Sequence, residues 1–232
     1  MRTVTAVAHR GDPYRVRENT LPSLRSAFDR GADAVEIDVR LSRDGVPVLL
    51  HDATLKRLWE LDRPLSALSA DEVRGLTEGG VPTLEEALAA TAGHRLMVDL
   101  PGATPDTVRT VVGAIADFGA SERAYYCAGA RTMLAVRAAD PAAEIALTWT
   151  TLAPPRQAVL EAIRPRWLNY RFSLLRRELV AQVHRQGLLV SAWTPDTKRS
   201  MRRLVGIGVD SITTNRVDTL HALRAGADGA IS

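Results

Sequence analysis

The sequence predicts an α/β protein that folds as a single-domain (β/α)8 barrel with a small insertion after the second strand. Short segments rich in β-branched and apolar residues alternate with longer helical patterns along the whole chain. This alternation is typical of parallel β/α units. Eight units can be counted, which is the number that closes a parallel barrel. The length of 232 residues is a little below the roughly 250 residues typical of that architecture.

The predicted strands and helices follow one another in strict order. The strands are placed at residues 4–9, 34–40, 96–100, 124–127, 144–149, 167–170, 188–192 and 211–214. The helices are placed at residues 21–30, 84–92, 105–118, 130–139, 156–163, 174–185, 196–206 and 217–225. Local chemistry supports several boundaries, because Asn19 and Thr20 can cap the first helix, Pro105 suits the start of the third, and Gly206 suits a helix end.

The longest connection, residues 41–83, lies between the second strand and the second helix. It begins with the turn Arg43-Asp44-Gly45 and continues into the apolar run 46–50, a pattern typical of a hairpin. We therefore expect a hairpin-like excursion on the barrel, within one domain of residues 1–232. The C-terminal residues 226–232 are small and are expected to fray.

Composition argues against several functional classes. The net charge is only +3 despite a pI near 9.4, and the arginines are scattered among acidic residues, so no nucleic-acid partner is expected. Cys127 is the only cysteine, which excludes an internal disulfide and a cysteine-based metal cluster. Neither an apolar run of about 18 residues nor a secretory leader pattern occurs. We expect no stable membrane insertion and a cytoplasmic location; the oligomeric state is left open.

Ionisable side chains stand at the ends of four of the predicted apolar segments. They are His9 and Arg10 after the first strand, Glu36 and Asp38 on the second, His51 at the end of the run in the insertion, and Asp99 at the end of the third strand. The C-terminal ends of the strands carry the active sites of such barrels. We therefore expect these side chains to meet at one rim.

Glu36 and Asp38 are two residues apart on a strand, so their carboxylates share one face. Two adjacent negative charges repel each other. A hard divalent cation with oxygen ligands, Mg²⁺ or Ca²⁺, would compensate them once Asp99 supplies a third carboxylate. For the pair alone, bridging by an arginine in a solvated barrel mouth is the stronger alternative, and the nearby histidines favour the metal site instead.

Two of the five histidines, His9 and His51, end apolar segments at the expected rim. The other three, His94, His184 and His221, precede a strand or lie within helices, and we interpret them as structural. An imidazole that titrates near pH ~6.5 can accept and donate a proton in one catalytic cycle. A lone histidine at a strand end is more often a packed core residue, but two of them beside three carboxylates favour a catalytic role.

Other residues near the rim suit a phosphate ester with an alcohol group. Arg10 presents a fork of donors that matches a phosphate, and Gly11 permits a sharp backbone turn. Trp193 and Trp149 end strands, where an aromatic wall for an alcohol and simple barrel packing are equally good interpretations. Cys127 is interpreted as a small core residue.

Taken together, these residues resemble the glycerophosphodiester phosphodiesterase family over nearly the whole chain. The matching segments are His9-Arg10-Gly11, Glu18-Asn19-Thr20, Gly31-Ala32-Asp33, Glu36-Ile37-Asp38-Val39, Asp44-Gly45, His51-Asp52, Val81-Pro82-Thr83-Leu84-Glu85-Glu86, Asp99, Ala192-Trp193-Thr194-Pro195-Asp196 and Gly208-Val209-Asp210-Ser211-Ile212-Thr213-Thr214. The resemblance implies a TIM barrel that hydrolyses glycerophosphodiesters to glycerol 3-phosphate and an alcohol. It also implies that His9 and His51 act as acid and base, that Glu36, Asp38 and Asp99 bind a metal ion, and that Arg10 contacts phosphate.

Three positions depart from the family pattern. This chain has Asp99-Leu100-Pro101 where the family usually has Glu-x-Lys. It has Trp193-Thr194-Pro195-Asp196 in place of Trp-Thr-x-Asn, and Thr214-Asn215 in place of Thr-Asp. Asp99 keeps the charge on a shorter side chain. Pro101 removes a cation expected near the phosphate, which Arg10, Arg171 or Arg131 would have to replace, and we therefore count Arg171 among the candidate substrate-binding residues.

Two other functions stay open at this point. Relatives of the lysophospholipase D or sphingomyelinase D type would act on lipid headgroups, with apolar residues of the insertion either contacting lipid or covering the barrel rim. These residues are Leu58, Trp59, Leu61, Leu65 and Leu68. A non-catalytic barrel that binds a phosphorylated ligand is the other alternative, motivated by Pro101, Asp196 and Asn215.

Overall fold

The structure, a computed structural model, describes residues 4–228. Its strands are β1 (Thr5–His9), β2 (Ala34–Leu41), β3 (Pro47–Leu49), β4 (Arg95–Asp99), β5 (Ala124–Ala128), β6 (Ile145–Trp149), β7 (Trp167–Arg171), β8 (Leu189–Trp193) and β9 (Ser211–Thr214). All strands except β3 pair in parallel in the order β1-β2-β4-β5-β6-β7-β8-β9, and β9 returns to β1. The predicted eight-stranded closed barrel is confirmed.

Helices follow the barrel strands and cover the outside of the barrel, and two further short helices lie in the insertion after β3. They are α1 (Leu21–Asp29), α2 (Lys56–Trp59), α3 (Ala70–Leu76), α4 (Leu84–Ala90), α5 (Pro105–Asp117), α6 (Ala130–Ala139), α7 (Gln157–Ile163), α8 (Arg177–Arg185), α9 (Lys198–Ile207) and α10 (Val217–Asp228). In the part of the chain that the structure describes, no helix is long and apolar enough to cross a bilayer.

Local chemistry fixes the helix ends to within a few residues of the predicted positions. Thr20 caps α1 by accepting a hydrogen bond from the Ser23 amide. The assignment of Gly206 to a helix end is wrong, because α9 continues to Ile207 and the left-handed Gly208, with φ of 87°, ends it. Helix α10 extends to Asp228 and so includes residues 226–228 of the tail that was expected to fray; residues 229–232 of that tail lie outside the described range.

The insertion forms a small subdomain on the rim. Strand β3 pairs antiparallel with the end of β2, which confirms the expected hairpin, and α2, the 3₁₀ turn Leu65–Ala67 and α3 follow. These elements enclose a separate apolar cluster, whose buried members are Val48, Leu50, Leu55, Leu65, Leu68, Val73 and Val81, with Val46, Leu58, Trp59 and Leu61 packed against it. The apolar residues considered for lipid contact therefore pack within the insertion.

The lower part of the barrel interior is filled by apolar side chains. This cluster consists of Val7, Ala34, Met97, Tyr125, Cys127, Ala146 and Trp167, with Leu189 packed against it. Alternation along each strand places these residues inward and the larger core cluster outward, between sheet and helices. The packed interior forms a floor, so any cavity in the barrel opens toward the C-terminal ends of the strands.

Candidate active site

His9 ends β1 and is held from one side by Asn215. Its Nδ1 lies 2.8 Å from the Asn215 side-chain oxygen. Asn215 is itself fixed by Asp196, which accepts hydrogen bonds from the Asn215 backbone amide at 2.9 Å and from its side-chain amide at 2.7 Å. Because Nδ1 is engaged, Nε2 is the ring nitrogen available for proton transfer, and it lies 3.9 Å from Glu36 Oε2.

The chain turns sharply after β1. Arg10 and Gly11 both have positive φ, 58° and 89°, and the Arg10 backbone amide donates to Glu36 Oε2 at 3.0 Å. A Cβ at Gly11 would lie 2.3 Å from the Ser23 hydroxyl. Only glycine tolerates both this backbone conformation and this close approach to α1, so the turn that presents Arg10 depends on it.

The Arg10 guanidinium lies among carboxylates. Its Nη1 donates to Glu18 Oε1 at 2.9 Å, and its Nε lies 3.1 Å from Asp38 Oδ2. These charges raise the pKa of Arg10 above its ordinary value despite the opposing effect of burial. Arg10 is therefore a fixed, permanently charged group beside the carboxylates.

Glu36, Asp38 and Asp99 come together as the sequence suggested. One carboxylate oxygen from each lies within 4.8 Å of the others, and β2 and β4 pair so that Asp38 and Asp99 are neighbours. Glu36 and Asp38 are 4% and 1% exposed. Asn19 donates to Asp38 Oδ2 at 2.8 Å, whereas Asp38 Oδ1 is buried with no hydrogen-bond partner among the described residues.

This crowding makes ionisation of the carboxylates unfavourable. Burial, followed by the charges of Asp38 and Asp99, raises the pKa of Glu36 well above its ordinary value. Burial and the Asp38 charge raise the pKa of Asp99 to about 7. Raised carboxyl pKa values of this origin indicate that positive charge is needed at the cluster.

His51 reaches the same site from the insertion, two residues beyond β3. Its Nδ1 lies 2.7 Å from Asp52 Oδ1, which again leaves Nε2 as the nitrogen available for proton transfer. The His51 backbone carbonyl accepts a hydrogen bond from Arg40 Nε at 2.8 Å. Burial, followed by the charge of Arg10, lowers the pKa of His9.

These groups border one cavity of about 280 Å³ at the barrel mouth. Its lining consists of His9, Arg10, Glu36, His51, Met97, Asp99, Cys127, Thr148, Asn169, Trp193, Thr194 and Thr213. Most sequence-predicted residues are in this set. Thr148, Asn169 and Thr213 were missed, although each occupies an inward-facing position near the end of a predicted strand, which is the signal that could have identified them.

Three residues that the sequence offered as possible substrate contacts do not line the cavity. Arg171 ends β7 and is exposed, and neither it nor Arg131 borders the cavity. Trp149 does not line the cavity either, because its indole nitrogen donates to the Ala153 carbonyl at 2.7 Å and it packs against the outer core. Barrel packing is therefore the correct interpretation for Trp149, whereas Trp193 forms part of the cavity wall.

The loop with Pro101 lies beside a cation that the sequence analysis did not consider. Arg40 follows Asp38 on the same face of β2, and it borders a groove together with Pro101. Its Nη1 is 4.0 Å from the position that a Cβ on Gly102 would take. Burial lowers the pKa of the Arg40 guanidinium despite the opposing charges of Asp38, Asp52 and Asp99, but an arginine stays protonated in proteins. Arg40 therefore supplies positive charge on the side where the lysine of the family pattern is missing.

The closed barrel and its mouth, which carries three carboxylates, two histidines and an arginine, define an enzyme-like site suited to acid–base chemistry on an anionic substrate. Comparison with known proteins is more specific. The family model described as the glycerophosphoryl diester phosphodiesterase family matches residues 9–219, and the chain belongs to that family. The predicted resemblance is thereby confirmed, and the protein is a phosphodiesterase of this family.

Individual relatives and solved structures are similar to the chain over more than nine-tenths of its length. A glycerophosphodiester phosphodiesterase of Caldanaerobacter subterraneus subsp. tengcongensis is 27% identical over 231 residues, covering 92% of this chain and 95% of the relative. The crystal structure of a glycerophosphodiester phosphodiesterase from Parabacteroides distasonis shares the fold, with a TM-score of 0.84, 23% identity and coverage of 98% and 99%. An Oleispira antarctica phosphodiesterase in complex with the product sn-glycerol-3-phosphate gives a TM-score of 0.83 at 23% identity, with coverage of 97% and 96%.

Proposed function

We propose that the protein hydrolyses glycerophosphodiesters to glycerol 3-phosphate and an alcohol, with a divalent cation bound by Glu36, Asp38 and Asp99. The observation that carries the proposal is the meeting of these three carboxylates beside a cavity that both candidate catalytic histidines also line. The product found in the Oleispira antarctica relative is consistent with this substrate class.

The residues present fit a hard cation. All three side chains offer oxygen donors, which Mg²⁺ and Ca²⁺ prefer. Asp38 Oδ1 is buried without a partner among the described residues, and such an atom is costly unless something binds it. The raised pKa values of Glu36 and Asp99 would fall once a cation compensated their charges. A bound cation would polarise a phosphoryl oxygen and lower the pKa of an attacking hydroxyl.

His9 and His51 perform the proton transfers in this proposal. One accepts the proton of the attacking hydroxyl and the other protonates the leaving alkoxide. Attack by water gives glycerol 3-phosphate directly, whereas attack by the glycerol 2-OH gives a cyclic glycerophosphate that water must then open to yield glycerol 3-phosphate. In each ring Nδ1 is already engaged, by Asn215 or by Asp52, which leaves both Nε2 atoms for the substrate. Two differently held imidazoles on one cavity suit a reaction that needs a base and an acid in the same cycle.

The remaining candidates bind and guide the substrate. Arg10 lines the cavity, fixed by Glu18 and Asp38, and in this proposal its charge neutralises the phosphate. Trp193 provides an apolar wall for the alcohol group. Arg171, exposed outside the cavity, is proposed only as a charge that attracts the anionic diester toward the mouth.

The test is a panel of glycerophosphodiesters assayed with and without EDTA, with Mg²⁺, Ca²⁺ or Mn²⁺ restored. Hydrolysis should disappear in EDTA and return with at least one ion. His9→Ala and His51→Ala should each lower turnover by about 10²- to 10⁴-fold while the circular dichroism spectrum stays unchanged. Undiminished hydrolysis in EDTA, or near-normal turnover of either variant, would contradict the proposal. Lysophosphatidylcholine, assayed beside glycerophosphocholine, tests the alternative lipid substrate.

A further inference from the structure

The insertion contributes a charged residue, Arg57, to the network behind His51. Arg57 lies in α2 (Lys56–Trp59), outside the barrel and outside the cavity lining. Among the described residues it contacts neither the metal-site carboxylates nor the cavity. It does bind two other carboxylates, Asp52 beside His51 and Glu18 beside Arg10. The network that it completes suggests a function for the insertion.

Arg57 uses three nitrogens on two partners. Its Nε donates to Asp52 Oδ2 at 2.6 Å, while Nη1 and Nη2 donate to Glu18 at 3.0 and 2.6 Å. Both oxygens of Glu18 are thus held by one planar guanidinium, a geometry that a lysine cannot reproduce because its ammonium is a single point of charge. The hydrogen bond from Arg57 is the largest cause that lowers the pKa of Asp52, and the Asp52 carboxylate is therefore kept ionised.

Asp52, held by Arg57, in turn orients the candidate catalytic residue His51. Its other oxygen, Oδ1, lies 2.7 Å from His51 Nδ1, so one carboxylate is held by Arg57 and holds His51. A carboxylate on Nδ1 selects the ring orientation and tautomer in which Nε2 is free. The His51 side chain is 39% exposed, so packing alone constrains it weakly and the hydrogen bond to Asp52 gains importance.

Glu18 connects the same arginine to the other half of the site. Glu18 Oε1 also accepts from Arg10 Nη1 at 2.9 Å, and Arg10 Nε lies 3.1 Å from Asp38. An unbroken series of ion pairs thus runs from the carboxylate cluster to His51. The Glu18 side chain is only 12% exposed, which protects this part of the series from solvent.

Helix α2 is anchored well enough to hold Arg57 in place. Leu55, which precedes the helix, is fully buried in the apolar cluster of the insertion, and Trp59 packs against that cluster. The Arg17 guanidinium stacks over the Trp59 ring at 4.1 Å, which ties the helix to the loop that also carries Glu18. Arg57 therefore projects from a supported element.

We propose that Arg57 is a positioning residue for His51, acting through Asp52, and that the insertion is thereby part of the catalytic apparatus. The inference rests on the proposed role of His51 in proton transfer. Loss of the guanidinium frees Asp52 to rotate, and His51 then spends less time with Nε2 directed at the substrate. The chemical step should suffer most. Substrate binding should change less, because Arg10 keeps its own contacts with Glu18 and Asp38 when Arg57 is removed.

The test compares Arg57→Ala and Arg57→Lys with Lys56→Ala, a control in the same helix whose only described ion pair is with the exposed Asp62. Arg57→Ala should lower kcat by about 10- to 100-fold with less than a threefold change in KM. Arg57→Lys should restore only part of the loss, and Lys56→Ala should behave as wild type. Millimolar guanidinium should increase the kcat of Arg57→Ala without affecting wild type. Unfolding curves show whether the variants remain folded.

A double-mutant cycle separates positioning from general structural damage. In the His51→Ala background, Arg57→Ala should have no further effect, because the group through which it acts is absent. Equal losses in both backgrounds, or a loss confined to KM, would overturn the inference while leaving the proposed function intact. Full activity of His51→Ala itself would instead refute the role of His51, and the role of Arg57 with it.

Discussion

Replacing Asp99 by asparagine should remove a loss of folding stability that the metal-free protein undergoes as the pH rises. The folded protein holds the Asp99 pKa at about 7, against an ordinary value of 3.8. Because the folded-state pKa is raised, protonation of Asp99 stabilises the folded protein. This contribution to the free energy of unfolding is fully present below about pH 3.8 and is lost as the pH rises through 7. The asparagine variant keeps an oxygen to accept the Leu100 amide, as Asp99 does at 2.8 Å, but has no charge to develop.

The magnitude follows from the size of the shift. Between about pH 5 and the Asp99 pKa of about 7, the folded protein holds a proton on Asp99 that the unfolded protein has lost. Each of these roughly two pH units lowers the free energy of unfolding by about 1.4 kcal/mol, and the loss is complete by about pH 8. The free energy of unfolding of the wild type, relative to that of Asp99→Asn, should therefore fall by about 3 kcal/mol. For a chain of this size this difference corresponds to roughly 6–12 °C in Tm. The pKa of Glu36 is raised first by burial and the Asp38 charge, which both proteins share, and then by the Asp99 charge. The variant loses only this last contribution, which lowers the stability of the wild type in the same direction as the pH rises.

The assay is urea unfolding of both proteins in EDTA at the two pH values. A stability difference that does not change with pH, or a wild type that gains on the variant as pH rises, would refute the reasoning. Saturating Mg²⁺ at pH 8 should reverse the order, because the wild type then gains ligand-binding free energy that the variant lacks in part. Failure of Mg²⁺ to stabilise the wild type would contradict the assignment of the cluster as a cation site.

Two further predictions concern residues that hold the site in place. Asn215→Ala should release His9 Nδ1 and lower kcat by about 10- to 100-fold with little change in KM, measured by steady-state kinetics; an unchanged kcat would show that Asn215 is not needed to orient the ring. Gly11→Ala should destabilise the fold by about 1–3 kcal/mol more than Gly45→Ala. Both glycines have positive φ, but only at Gly11 does a Cβ meet other atoms. Equal unfolding free energies for the two variants would contradict the close packing described at Gly11.

The sequence predicts the barrel because alternation of strand and helix leaves few other arrangements. It also places His51 at the mouth, since the residue ends an apolar run. It could not show that Arg171 stands outside the cavity, because alternation gives the face of a residue but not the depth of the rim. Asn169 does line the cavity but was missed, because the prediction of site residues relied on ionisable side chains and an amide on a buried strand is uncharged. The contacts of Arg57 depend on how the insertion folds back, which no local pattern encodes.

The most direct test of the metal site is anomalous diffraction from crystals of the protein soaked with Mn²⁺. We expect a single strong peak bounded by Glu36, Asp38 and Asp99, with oxygen ligands at roughly the 2.0–2.6 Å typical of hard cations, adjacent to the cavity that His9 and His51 line. A peak elsewhere, or no peak at saturating Mn²⁺, would contradict the proposal that these three carboxylates form the metal site of the phosphodiesterase.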